Sequence, residues 1–566
     1  MAMRVSRAAV SGRYRRLRRP CTELKQKGDS IALRRNFYYT SEEPIVRLTC
    51  GKLHGYQMND IYHFLGIRYA QAKRFQMPVS VRPWDGVKEA VNYGYSCPTL
   101  TPPSPVGEAF TPAIFWPRNE HCQYLNIWTP QLNRDARKPV MVWMHGGGYT
   151  EGSANDSVVT QGENLAAYGD VMVVSVNHRT NILGFFDLSE FGAKYENSVN
   201  AGIADLVQAL LWIRENIEAF GGDPDNVTIF GQSGGGGKVA TLLQVPEAAG
   251  LFHKAIIMSG IADSVEEAQD GEHGSHRMLA RQILEELGAE KTQIGVLEEV
   301  PYTVLARAFG WAAKTLWQQK NKLIEWGPQA NHWFLGNPMQ VGFTEYAKHI
   351  PVIAGSTLAE HSRGPVLSGR EPPSAKRIHD LLTEKFGAHA QRLAGMFAAA
   401  YPDKNPLGLL RLESQFRIPT LDYVKEKARV SCAAVYCYLF ALEYDHARGR
   451  IAPHGADVAF AFHNIDKIYK DYISGVSERL EDQLCGAFVS FAKTGNPNRA
   501  DLPVWKAVGG DGEATMVFDT ESKTREKYDS ALLEALRAAA PGEKLNEMFA
   551  GMHGYDKPAD DKIWRY

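Results

Sequence analysis

The chain lacks most of the features that would send a protein of its size towards nucleic acid, membranes or metals. It has almost no net charge, because 63 Lys and Arg stand against 64 Asp and Glu, leaving a formal charge of −1. A balance this close gives the whole molecule no field with which to gather nucleic acid or hold an anionic membrane surface. A small, roughly neutral substrate suits it. Long apolar runs are missing as well: no segment reaches the roughly 18 uninterrupted apolar residues of a membrane span, and the first 35 residues hold no signal-peptide core. The expected compartment is therefore the cytoplasm. Cysteine is sparse, with seven among 566 residues, at 21, 50, 97, 122, 432, 437 and 485. None has the CxxC or Cys/His spacing of a zinc site. Cys432 and Cys437, on an expected strand, read as buried thiols facing opposite ways. No repeats or low-complexity linkers divide the body.

What is present is an ordinary globular composition, 44% apolar and 22% charged with 51 Gly and 29 Pro, able to bury a large core. The exception is residues 1–43, which read as a basic, disordered extension: Arg4, Arg7, Arg13, Arg15, Arg16, Arg18, Arg19, Lys25, Lys27, Arg34 and Arg35 outnumber Glu23 and Asp29 in its first 35 positions. A targeting segment and an electrostatic tether are the other readings of that tail. From Pro44 to Tyr56 and from Ile61 to Tyr69 the residues alternate as short antiparallel strands do. The Pro-rich, aromatic stretch 97–117 reads as a long loop. Six short apolar runs then follow, at 139–145, 171–177, 227–230, 254–258, 350–354 and 435–442, each reading as a strand covered on both faces. Between the second and third, Ile203, Leu206, Val207, Leu210, Leu211, Ile213, Ile217 and Phe220 recur at helical spacing until Gly221-Gly222 stops them. The pattern predicts an α/β fold with a central, mostly parallel sheet and helices on both faces. Residues 44–566 read as a single domain, with helical cap insertions at about 263–349 and 366–430.

The chemistry is concentrated in a few short motifs. The run 227–230 feeds Gly231-Gln232-Ser233-Gly234-Gly235, and 236–243 can continue as a helix, which is the strand-turn-helix setting that Gly-x-Ser-x-Gly requires. A serine on so sharp a turn presents its hydroxyl at the sheet edge, where side chains two residues away would collide. Ser233 is thus the candidate nucleophile. A phosphate-binding loop ending at Lys238 fails on spacing, since Gln232 stands where glycine is needed and Val239 where Ser or Thr would hold magnesium. His145-Gly146-Gly147-Gly148-Tyr149 follows the run 139–144 and can supply backbone N–H donors to a developing oxyanion. A serine nucleophile needs a histidine base and a carboxylate to orient it, in the chain order Ser, acid, His. His454 stands in a loop after the strand ending near Leu442, with His463 as its nearest rival. Glu360 follows the run 350–354, with Asp457 and Asp263 as weaker acids.

Taken in order, the motifs resemble the type-B carboxylesterases, the family that includes the cholinesterases. Phe64-Leu65-Gly66-Ile67 with Tyr69-Ala70, and Glu120 to Trp128, are similar to its N-terminal signatures. Asn177-His178-Arg179, Leu183-Gly184-Phe185, Asn200-Ala201-Gly202 with Asp205, and Phe220 to Pro224 match in order and spacing, and Phe491 to Pro497 resembles its C-terminal segment. The resemblance implies the α/β-hydrolase fold and ester hydrolysis through an acyl-enzyme with no cofactor and no metal. It implies a Ser233, Glu360, His454 triad and an oxyanion hole of Gly147, Gly148 and Gly234. It also implies an Arg74–Glu120 ion pair and a Cys97–Cys122 loop resembling the family's first disulfide. Amide, carbamate or lactone hydrolysis, or acyl transfer, would use the same groups; the competing class is a non-catalytic adhesion protein of the same fold. The substrate pocket is expected around Phe110, Phe115, Trp116 and Tyr149, under cap residues Trp311, Trp317, Trp326 and Trp333. Two departures from the family stand beside the serine: Gln232 replaces the usual Glu, and Gly234 the usual Ala, a change expected only to loosen the backbone.

Overall fold

The computed structural model describes residues 37–40, 43–100, 114–262, 275–320, 324, 326–361, 374–412, 415–444, 450–468, 472–509 and 513–539. The basic extension up to residue 36, Phe110 and Asp263 lie outside these. The centre is a twelve-stranded sheet whose strands we number in chain order: β1 (Phe37–Tyr38), β2 (Tyr56–Met58), β3 (Ile61–Arg68), β4 (Tyr124–Thr129), β5 (Lys138–Met144), β6 (Met172–Val176), β7 (Gly222–Gln232), β8 (Lys254–Met258), β9 (Val352–Thr357), β10 (Val435–Phe440), β11 (Thr515–Phe518) and β12 (Lys523–Arg525). Their order across the sheet is β1-β2-β3-β4-β6-β5-β7-β8-β9-β10-β11-β12. From β6 to β11 every pairing is parallel, and antiparallel strands flank that block on both sides.

The sequence pattern explains the two-sided burial. Along β5, Val140, Val142 and Met144 face a core completed by helix α1 (Ala201–Asn216) through Ile203, Leu206, Leu210 and Ile213. Met141 and Trp143 face the opposite core, which Leu484, Phe488 and Phe491 close from a later helix. The crossover helix predicted over 200–220 is α1 followed by a 3₁₀ turn, and Gly221 stops it at φ +86°, a conformation that glycine adopts without strain. A third core belongs to the first insertion. There α3 (Ser275–Glu286) and α4 (Tyr302–Lys320), numbered after the nucleophile-side helix α2 (Gly234–Leu242), pack Leu279, Ile283, Leu305 and Phe309 against Phe75, Ile182 and Phe186. In the second, α5 (Ala375–Phe386) and α6 (Ala390–Ala400) precede α7 (Arg417–Val430), which lies on the sheet as the β9-to-β10 crossover with Leu421 and Val424 in the first core.

One expectation changes. Cys432 is exposed, because β10 begins only at Val435 and leaves it in the preceding turn, while Cys437 is buried as predicted. Cys97 and Cys122 are buried free thiols, and the Cys97 sulfur accepts from Thr180 N (3.3 Å).

Two arginines bolt the loops to this frame. Arg74 pairs with Glu120 and donates to the carbonyls of Leu297 (2.6 Å) and Val300 (2.9 Å), tying the first insertion to the N-terminal region. Arg179, fully buried just past β6, binds both oxygens of Asp205 on α1 (2.9 and 2.8 Å) and the carbonyls of Lys73, Gln76 and Ala201. Removing one partner of a pair so deeply buried strands the other charge. Asp205→Ala is therefore expected to cost about 3–5 kcal/mol, read as a lowered midpoint in thermal unfolding; a midpoint within a degree of wild type would contradict this account.

Candidate active site

The direction of the chain reverses at one place in the parallel block: from β5 it passes to β6 on one side and returns through α1 to β7 on the other. Such a switch point opens a crevice at the strands' carboxyl ends. The loop after β5 carries Gly147 and Gly148, and the turn after β7 carries Ser233, with Met144 and Gly231 directly paired across the two strands.

Ser233 sits at φ +59°, ψ −130°, a backbone region that costs a non-glycine residue about 1–3 kcal/mol. Its neighbours hold it there: its N–H donates to Met258 O (2.9 Å), and its carbonyl accepts from Gly237 N (3.0 Å). The surrounding glycines follow from contact distances. A methyl on Gly235 would stand 2.0 Å from Met144 O, and one on Gly234 would stand 2.0 Å from Gly148 O. Gly234 is thus demanded by the course of the facing loop, which corrects the expectation that it merely loosens the turn. Gly147 (φ +84°) and Gly148 (φ +61°) both take left-handed conformations. No backbone carbonyl among the described residues accepts from the N–H of Gly147, Gly148 or Gly234.

Beneath that loop the two motif histidines, His145 and His178, form a layer with Lys238. Lys238, buried on α2, donates to His145 O (2.9 Å). The rings of His145 and His178 stack at 4.7 Å. Burial, reinforced by the Lys238 charge, pushes both imidazoles well below their ordinary pKa, so they are neutral spacers. His145 Nδ1 donates to Gly146 O (2.9 Å), which helps fix the glycine loop.

The expected acid and base, Glu360 and His454, arrive from the other half of the sheet. Glu360, three residues past β9 and at φ +34°, has a side chain with no solvent exposure. Its Oε1 accepts from Ser259 Oγ and Thr357 N (both 2.7 Å), and its Oε2 accepts from His454 Nδ1. The main chains are joined too, since His454 N donates to Glu360 O (3.0 Å). His454 Nε2 is buried with no hydrogen-bond partner among the described residues. The next residue, Gly455, lies against Gln232, immediately before Ser233. Sheet register explains the convergence, because Gln232, Met258, Gly355 and Tyr438 are successive partners across β7 to β10.

The rivals are engaged elsewhere. His463 faces Glu481 and Asp482 and stacks on Tyr168 at 4.1 Å. Asp457 accepts from Tyr438 OH (2.7 Å), and burial raises its pKa to about 6. Of the expected pocket aromatics, Tyr149 lies over α2, where a methyl on Gly237 would stand 2.7 Å from its hydroxyl, and under Gly327 of the first insertion. Trp116 instead packs edge-on against Tyr93 (5.3 Å), and Phe115 is exposed. In the insertion, Trp326 packs with Phe309 and His276, Trp333 is buried, Trp317 is half-buried and Trp311 is exposed. Sequence reasoning missed Ser259 and His361, which stacks on His454. Each sits beside a recognisable element without a motif of its own.

Similarity to known proteins agrees with this geometry. A solved esterase from the anaerobe Clostridium hathewayi, reported to hydrolyse aliphatic aromatic polyesters, is 45% identical, with a TM-score of 0.85 over 89% of this chain and 100% of its own. The para-nitrobenzyl esterase of Bacillus subtilis is 29% identical over 505 residues, 84% of this chain and 95% of its own. The phenmedipham hydrolase of Pseudarthrobacter oxydans is 30% identical over 508 residues, again 84% and 95%. The profile of the carboxylesterase family matches residues 42–385 and 404–535, and the chain belongs to that family.

Proposed function

We propose that this carboxylic-ester hydrolase works through Ser233, His454 and Glu360 as its triad, with the N–H groups of Gly147, Gly148 and Gly234 as its oxyanion hole. One observation carries the reading: a serine in a strained left-handed turn faces a glycine loop on the adjacent strand, and a buried, hydrogen-bonded Glu–His pair converges on the same crevice. Ser233 Oγ attacks the acyl carbon as its proton passes to His454 Nε2, and Glu360 stabilises the imidazolium through Nδ1–H. The carbonyl oxygen gains negative charge against the three N–H donors. Collapse breaks the bond to the alcohol, which leaves with the proton from His454. Water then attacks the acyl-enzyme with His454 again as base, releasing the acid and restoring Ser233.

The preferred substrates in this reading are small to medium neutral esters, which suit the near-zero net charge and a crevice walled by Tyr149 and the first insertion. The similarity to the Clostridium hathewayi esterase extends the proposal to aliphatic aromatic polyesters. Release of soluble products from such a film by the wild type, and none from the Ser233→Ala variant, is the expected result; a film left intact by an enzyme active on short esters removes the extension.

Three outcomes test the site. A fluorophosphonate probe should label Ser233 alone, and Ser233→Ala should lower kcat roughly 10⁵-fold or more; labelling at another residue, or surviving activity, sinks the assignment. Glu360→Gln should lower kcat roughly 10⁴-fold with little change in KM, measured on a p-nitrophenyl ester. Gly234→Ala, although it installs the residue usual at this position, should displace Gly148 and lower kcat about 10²-fold. Wild-type turnover in that variant would mean that the glycine loop carries no catalytic N–H.

A further inference from the structure

The residue after the acid occupies a position that the mechanism above does not use. Glu360 reaches His454 Nδ1 from a backbone at φ +34°, and that turn places His361 across the face of the His454 ring. The two imidazole centroids are 3.9 Å apart, with planes inclined by 34°. Phe416, buried at the start of α7, closes the group at 5.7 Å from His361 and 5.3 Å from His454. His454 is therefore held by its edge through Glu360 and on its face by aromatic rings.

We propose that His361 is a positioning residue for His454: its imidazole fixes the plane of the His454 ring and favours the cationic state that His454 enters at each proton transfer. The proposal rests on His454 being the general base. Its physical content is that a ring face attracts a cation in contact with it, most strongly where water is excluded. His361 must be neutral to act this way, because a second cation at 3.9 Å would repel the first. Burial, followed by the repulsion of a charged His454, pushes its pKa down to about 2, so it is uncharged throughout the working range of an esterase. Among the described residues, two other ionisable groups face this pair, and both are already engaged. Glu360 is turned to His454, Ser259 and Thr357, and Asp457 to Tyr438. A residue that only filled space would leave the protonation of His454 alone.

The test is the pH dependence of kcat/KM for p-nitrophenyl butyrate with the full chain and three variants. His361→Ala should lower kcat about tenfold with KM within about twofold of wild type. It should also move the acid limb down by about half a pH unit, roughly a threefold change in the protonation equilibrium. His361→Phe, which keeps a neutral ring, should restore both. His361→Gln, similar in bulk without a ring, should behave like the alanine variant and serves if that variant does not fold. An acid limb that stays in place or rises in the ringless variants, or a phenylalanine variant no better than they are, overturns the proposal. Fluorophosphonate labelling of the wild type separates the two failures: an unlabelled Ser233 overturns the triad and this inference together, whereas a labelled Ser233 with an unmoved acid limb overturns the role of His361 alone.

Discussion

The constraint on which the site depends is the close approach of two stretches of backbone at the sheet's reversal point. The carbonyl of Met144 lies against Gly235 and that of Gly148 against Gly234, each so near that a single methyl would stand 2.0 Å away. Strand, loop, turn and helix are all set by this contact. It allows β5 and β7 to stay paired up to Gly231 while the chain turns sharply at Ser233, and it places α2 hard against the sheet edge. Four consecutive glycines open that helix, a run that disfavours helix by roughly 1 kcal/mol each relative to alanine. The helix forms because Val239 and Leu242 bury in the same core as the strand it follows.

A second constraint is electrostatic. An ionised carboxylate with no solvent exposure is stable only when its oxygens are supplied with donors. Glu360 has a hydroxyl, a backbone N–H and an imidazole N–H, drawn from the residue after β8, the last residue of β9 and the segment after β10. The Ser259 donor comes from a residue at φ +44°, so the end of β8 is strained towards the same purpose as the end of β7. On the other side of the crevice the buried cation Lys238 donates to His145 O, at the start of the glycine loop.

How much of this is legible in the sequence follows from which features are local. The six apolar runs became six strands of the parallel block, with ends shifted by a few residues, because burial on both faces writes itself as continuous apolar character. Ser233 and the glycine loop were readable because their chemistry needs glycines at fixed offsets. His454 and Glu360 needed chain order and family resemblance, since a lone loop histidine or glutamate carries no local mark. The outer strands β11 and β12 escaped notice, being three or four residues long beyond a helix of 18. Ser259, His361 and Phe416 escaped for a different reason: only sheet register and a long crossover bring Ser259 to Glu360 and the two rings to His454, and neither leaves a periodic trace. Of the expected pocket aromatics, Tyr149 stands beside the glycine loop and under Gly327, while Trp116 packs on Tyr93.

The main-chain hydrogen bond from His454 N to Glu360 O reaches beyond positioning. It joins residues 94 positions apart, and the chain between them holds α5 and α6, then α7 and the central strand β10. Lengthening a flexible stretch whose ends are already fixed adds little free energy, about 0.6 kcal/mol per doubling. The helices α5 and α6 hang between that backbone clip on one side and the crossover α7 on the other, so their length can change while the backbone pairing of Glu360 with His454 stays as it is.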